Sequence, residues 1–188
     1  MKDLFKGSLT IPNLISVIRI ALIPLFAYLF YNDEKIMAVV VLAISGITDT
    51  VDGKIARKFN QISALGKVID PVADKLTQIT IAVMLFIDFK TASNPIINAL
   101  GWVFLVFLIK EAVMIVGGLI MLLLNIRPGA AEFWGKAATV VFYVGMVIII
   151  AIGPEVGALN DILGFQLPNV ITGIIVVLCA VMTIAAFA

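Results

Sequence analysis

A chain of 188 residues that is 62% hydrophobic and only 13% charged does not read as an ordinary soluble domain, in which about a quarter of residues are charged. Its formal net charge of +1 gives no support to a nucleic-acid partner, and a single cysteine, Cys179, excludes an intrachain disulfide. The chain has no histidine, so a zinc site is hard to build and any metal would be held by oxygen.

Met1–Ser8 is too short and polar to span a bilayer, but Leu4 and Phe5 among its lysines suit a short interfacial helix. A spanning helix needs roughly 20 mainly apolar residues. Six such segments follow, at residues 13–31, 35–57, 66–88, 95–124, 134–152 and 168–187. The first has no small-residue cleavage signal at its end and reads as a retained helix. The second and third each gather their charges at one end, Asp49 to Arg57 and Lys67 to Lys75. That end must be wet or shielded by protein. Lys110 and Glu111 fall within the fourth segment, where charges face protein, and read as a structural pair. The predicted fold is an all-α integral membrane protein with six transmembrane helices and a short N-terminal interfacial helix, forming one domain over residues 1–188.

Basic residues in short loops set orientation. Lys2, Lys6, Arg57, Lys58, Lys67, Arg127 and Lys136 fall on one side, against Lys35 and Lys90 on the other. The first side is predicted to face the cytoplasm from a multi-pass protein of the plasma membrane, with both termini inside.

The charged ends hold four aspartates. If the second helix continues through Arg57, Asp52, Gly53 and Ala56 lie within roughly 60° of Asp49 around its axis. On the third helix Gly66, Asp70 and Asp74 follow an i, i+4, i+8 course and share a face. Pro71 either kinks the entry of this helix or marks its start. The short loop at residues 58–65 makes the two helices antiparallel neighbours, so the four carboxylates can converge. Such like charges need compensation. A hard divalent cation supplies it, and a carboxylate set without histidine suits Mg²⁺ or Mn²⁺. Two bridged cations could polarise a diphosphate and stabilise its leaving group. Gly53 and Ala56 leave room for a bulky group beside the acids, and Arg57 can meet a phosphate through its planar fork. Helix packing through small residues is the plainer account of Gly53 and Ala56 taken alone.

The stretch Asp49, Asp52, Gly53, Ala56, Arg57, eight residues, Gly66, Asp70, Asp74 resembles, with no departure, the signature D-x2-D-G-x2-A-R-x8-G-x3-D-x3-D of the CDP-alcohol phosphotransferase family. The resemblance implies that an alcohol hydroxyl attacks the β-phosphorus of a CDP-linked substrate and expels CMP. It implies two divalent cations, Mg²⁺ or Mn²⁺, held by Asp49, Asp52, Asp70 and Asp74, with Asp74 as general base. The nucleotide would lie over Gly53 and Ala56, with Arg57 on its phosphates and Ser63 and Gly66 alongside. A homodimer is also implied. "TIPNLISVIRI" and "ARKFNQ…DPVADKL" resemble the phosphatidylglycerophosphate synthases of this family, which points to CDP-diacylglycerol as donor and glycerol 3-phosphate as acceptor. Asn13 and Ser16 match a nucleotide-contacting segment of related enzymes, although Asn13 equally suits a helix cap.

An acceptor phosphate needs cations near the metals. Lys136, in "GKAAT", is the first candidate, then Arg19 and Arg127, the last also suited to snorkelling toward lipid phosphate. A cardiolipin synthase of the same family, using phosphatidylglycerol as acceptor, is the alternative. A divalent-cation transporter is a rival of another class, but transporters place acids at the midplane between repeats. Here the acids cluster at one face and no repeat is visible.

Overall fold

The computed structural model describes residues 11–58, 66–124 and 133–186, with the backbone alone at residues 11, 12, 49–58, 66–68, 119, 122, 123, 133, 134 and 136. The interfacial helix expected at Met1–Ser8 lies outside these residues. Among the described residues every regular element is a helix: α1 Ile11–Tyr31, α2 Lys35–Lys58, α3 Gly66–Thr91, α4 Pro95–Leu123, α5 Phe133–Ile152, α6 Asn160–Leu163 and α7 Asn169–Ala185. The long helices start and stop close to the expected segment ends, because polar and Gly/Pro breaks separate apolar runs. The single turn of α6 falls in the stretch between the fifth and sixth expected segments, where no helix was expected. Pro71 lies inside α3, which begins at Gly66, so the proline does not open the helix. It instead deletes one ladder hydrogen bond.

The chain divides into two units, Met1–Thr80 and Ile81–Ala188, with the boundary inside α3. In the first, α1 packs along α2. Phe26, Phe30, Ala38, Val41, Leu42 and Ala73 are buried there. The turn between the two helices is set by Asp33, whose φ of 62° suits an aspartate better than a branched residue. Asn32 Nδ2 donates to the Tyr28 carbonyl at 2.8 Å and satisfies one of the orphan acceptors at the end of α1.

The second unit is built around α4, α5 and α7, with α7 packed on both other helices. Phe107 stacks on Phe142 with ring centres 4.4 Å apart, and Phe89 meets Phe104 edge-on at 5.2 Å. Asn94 caps α4 by accepting from the Ile96 N–H at 2.9 Å, and Pro95 follows at the first helical position, where it costs no hydrogen bond. The Glu155 carboxylate accepts from the Ser93 and Asn94 N–H groups at 2.8 and 3.0 Å, tying the start of α4 to the segment after α5. Lys90, at the end of α3, donates to Asn98 Oδ1 at 2.5 Å and lies 4.7 Å from the Trp102 ring centre. The expected pairing inside α4 is present: Lys110 Nζ sits 2.6 Å from Glu111 Oε1, and Glu111 is fully buried.

Gly145 lets α5 approach α7, since a Cβ there would stand 2.8 Å from Cys179 Sγ and 3.0 Å from Ile175 Cγ2. Gly145→Val should therefore cost about 1–3 kcal/mol through overpacking. Thermal unfolding in detergent reads this as a lowered Tm; an unchanged Tm would contradict the close approach.

Two helices, Asn13–Tyr31 and Pro95–Gly118, are long and apolar enough to cross a membrane, and Lys35–Thr48, Ala137–Ile152 and Asn169–Ala185 are shorter apolar helices. The most apolar window of each long one is only 22% buried, which separates them from the core helix of a soluble protein. Along α4 the exposed residues Trp102, Val106, Ile109, Val113, Val116 and Ile120 repeat at helical spacing. Such a stripe suits hydrocarbon better than water.

Candidate functional site

The site is built from the polar positions of otherwise apolar helices. Asn13, Ser16 and Arg19 recur every three residues on α1 and are 5%, 0% and 1% exposed, so this edge of the helix faces protein. From this edge Ser16 reaches α3. Ser16 Oγ donates to Asp70 Oδ1 at 2.5 Å, joining positions 54 residues apart. Asp70 is itself exposed, so its carboxylate is held from one side and accessible from another.

One turn along α3, Asp74 is half-buried. Gln78 Nε2 lies 3.5 Å from Asp74 Oδ2, and Lys75 Nζ lies 3.5 Å from Gln78 Oε1. Gln78 is 3% exposed, and a buried amide with both ends engaged fixes its own orientation. The contact to Asp74 is long for a hydrogen bond, so Gln78 orients that carboxylate more than it binds it.

The unbroken helix from Lys35 to Lys58 places Asp49, Asp52, Gly53 and Ala56 on α2 at the spacing that puts them on one face, with Arg57 one residue further on. Gly66 opens α3, and Lys136 stands in the first turn of α5; for all of these the backbone alone is described. Ser63 and Arg127 lie outside the described residues. No group of three acidic or thiol side chains comes together among the described residues, and the side chains of Asp49 and Asp52 are not among them.

The donors fit a hard divalent cation. Asp70 and Asp74, two carboxylates one turn apart, provide oxygen, while histidine is absent from the sequence and the one thiol, Cys179, is buried in α7. Sequence reasoning matched Ser16 to a nucleotide-contacting segment and did not foresee its contact with Asp70. It also missed Gln78. The signal for the first was the polar repeat at residues 13, 16 and 19 within an apolar helix; Gln78, one turn beyond Asp74 on the same face, was the signal for the second.

The family model for CDP-alcohol phosphatidyltransferase matches residues 9–185, nearly the whole chain. The chain belongs to the CDP-alcohol phosphatidyltransferase family. The members of this family are membrane enzymes of phospholipid biosynthesis that use CDP-alcohol donors and alcohol acceptors. Similar proteins include a cardiolipin synthase (CMP-forming) of Streptomyces coelicolor, 39% identical over 137 residues that cover 70% of this chain and 60% of that protein. A putative cardiolipin synthase of Mycobacterium bovis is 36% identical over 146 residues, covering 76% of this chain and 65% of its own length. The matched part thus spans somewhat under two thirds of either relative. A CDP-diacylglycerol–glycerol-3-phosphate 3-phosphatidyltransferase of Aquifex aeolicus is 29% identical over 131 residues, 70% of each chain.

Proposed function

We propose that this phosphatidyltransferase moves the phosphatidyl group of CDP-diacylglycerol onto phosphatidylglycerol, releasing CMP and forming cardiolipin. The observation that carries the acceptor is the likeness to proteins named cardiolipin synthase at 39% and 36% identity. Glycerol 3-phosphate, favoured by the N-terminal "TIPNLISVIRI", is the second reading, supported by the Aquifex relative. The acceptor hydroxyl oxygen attacks the phosphorus that carries the diacylglycerol, and the bond from that phosphorus to the bridging oxygen breaks as CMP leaves.

Asp49, Asp52, Asp70 and Asp74 would hold two divalent cations, Mg²⁺ or Mn²⁺. Bound there, the cations supply charge that offsets the diphosphate and its leaving group. Asp74 receives the acceptor proton, with Gln78 beside its Oδ2 limiting how far the carboxylate can turn. Gly53 and Ala56 give the cytidine nucleotide room on α2, and Arg57, Ser63 and Gly66 complete its cradle. Lys136, Arg19 and Arg127 are the cations for an acceptor phosphate; Arg19, buried on α1, can act only as a fixed charge. The reading includes six membrane spans, an active site at the cytoplasmic face, cytoplasmic termini and a homodimer. Both the concentration of basic residues on one side and the exposed apolar stripes support the first three.

An acceptor panel tests the choice. Purified protein supplied with CDP-diacylglycerol should convert phosphatidylglycerol to cardiolipin, with glycerol 3-phosphate at least roughly tenfold poorer in kcat/KM, a difference of about 1.4 kcal/mol in transition-state stabilisation. Phosphatidylglycerophosphate as the dominant product would overturn this acceptor in favour of the second reading. In that case Lys136→Ala should raise the KM for glycerol 3-phosphate.

A further inference from the structure

Ser16 stands at a helix face where two different roles compete. A nucleotide contact requires an accessible hydroxyl, yet Ser16 is 0% exposed, and its neighbours would have to move before a ligand could touch it. A serine in a membrane helix commonly turns its hydroxyl back onto the carbonyl four residues earlier. The Ser16 hydroxyl reaches beyond its own helix to Asp70 Oδ1 on α3, at 2.5 Å. The acceptor is the exposed carboxylate at the end of α3 where Asp74 also stands.

We infer that Ser16 is a positioning residue: buried in α1, it fixes the rotation of the Asp70 carboxylate, so that one oxygen is held by protein and the other is offered to a divalent cation. The inference rests on the reading of Asp70 as a cation ligand. Its physical basis is that ligating carboxylates are themselves held by hydrogen bonds, and that loss of such a partner costs about 10–100-fold in metal affinity or activity. Restricting the side chain before the cation arrives removes an ordering cost from binding. The inference gives Ser16 a task away from the nucleotide, because it acts through Asp70 and touches no substrate.

The test is Mn²⁺ titration of the full-length protein in lipid nanodiscs without substrate, followed by paramagnetic resonance of the free ion. Ser16→Ala should weaken Mn²⁺ binding by about 10–100-fold and raise the Mn²⁺ concentration for half-maximal CMP release by the same factor. At saturating Mn²⁺ the KM for CDP-diacylglycerol should stay at the wild-type value. Ser16→Thr, which keeps the hydroxyl, should restore binding. If Ser16→Ala does not yield folded protein, Ser16→Cys keeps a similar shape with a much weaker donor and should show the same loss. Wild-type Mn²⁺ affinity in Ser16→Ala or Ser16→Cys, with a raised KM for CDP-diacylglycerol, overturns the inference and returns Ser16 to the nucleotide. Asp70→Asn is measured in parallel. Wild-type Mn²⁺ binding by that variant would instead overturn the cation-ligand reading of Asp70 on which the inference stands.

Discussion

Asp70→Asn and Asp74→Asn should each lower CMP release by roughly 10³-fold while leaving the fold intact. Asparagine preserves the shape of either side chain, and its amide oxygen can still accept from Ser16 at position 70 or face Gln78 at position 74. What disappears is the negative charge. A hard divalent cation binds carboxylate far better than a neutral amide, and an amide cannot accept the acceptor's proton. Positioned general bases contribute about 10²–10⁴-fold by themselves. On the proposed reading, position 74 loses the base and a cation ligand together. Excess Mg²⁺ or Mn²⁺ should therefore rescue Asp70→Asn partly and Asp74→Asn much less. CMP quantified by chromatography, with thermal unfolding as a control for folding, checks this. Turnover above about a tenth of wild type in a folded variant would be incompatible with the assigned roles, since that is under 1.4 kcal/mol of barrier.

The second large effect concerns stability, far along the sequence from the acids. Glu111→Ala should destabilise the protein by about 3–5 kcal/mol, because removing one partner of a buried ion pair strands the other charge. Glu111 is fully buried and its carboxylate lies 2.6 Å from Lys110 Nζ, whose side chain is 11% exposed. Lys110 cannot simply relax into water. It lies within a helix window long and apolar enough for a bilayer. The ring of Phe107, 5.7 Å from Nζ, offers the amine weaker compensation than a carboxylate. Replacing both residues, as Lys110→Met with Glu111→Leu, should cost much less than Glu111→Ala, since an apolar pair of similar volume leaves no buried charge. Chemical unfolding of the single and double variants in mixed micelles checks the order. A double variant no more stable than Glu111→Ala would show that Glu111 acts through other partners.

These expectations also mark what could be read in the sequence. Helix ends were legible where chemistry changes abruptly, as at Asn94 and Pro95, where a capping side chain and a residue without an N–H coincide. The Lys110–Glu111 pair was legible because charges within an apolar segment must find compensation locally. The one-turn α6 was not, because it depends on tertiary contacts, including the Asn160 amide donating to the Gly153 carbonyl at 2.8 Å. Pro71 left two readings open, and the chain resolves them through residues before the proline that are helical despite it.

At the candidate site the spacing of the acids along each helix was legible, because period alone places Asp70 and Asp74 on one face. The partner of Asp70 was not. Ser16 reaches it across 54 residues, and no local periodicity encodes which serine on α1 will face which acid on α3. The acceptor is the least legible feature of all. Phosphatidylglycerol and glycerol 3-phosphate both offer a glycerol hydroxyl and a phosphate, so cationic residues such as Lys136 and Arg19 suit either one.

The most direct measurement is the balance between CMP and lipid product when the purified protein is given CDP-diacylglycerol and phosphatidylglycerol with Mg²⁺ or Mn²⁺. The account predicts one CMP for each cardiolipin formed, both stopped by chelating the divalent cations and restored by adding them back. Cardiolipin formation that persists after chelation, or divalent-cation flux across liposomes with no CMP released, would contradict it.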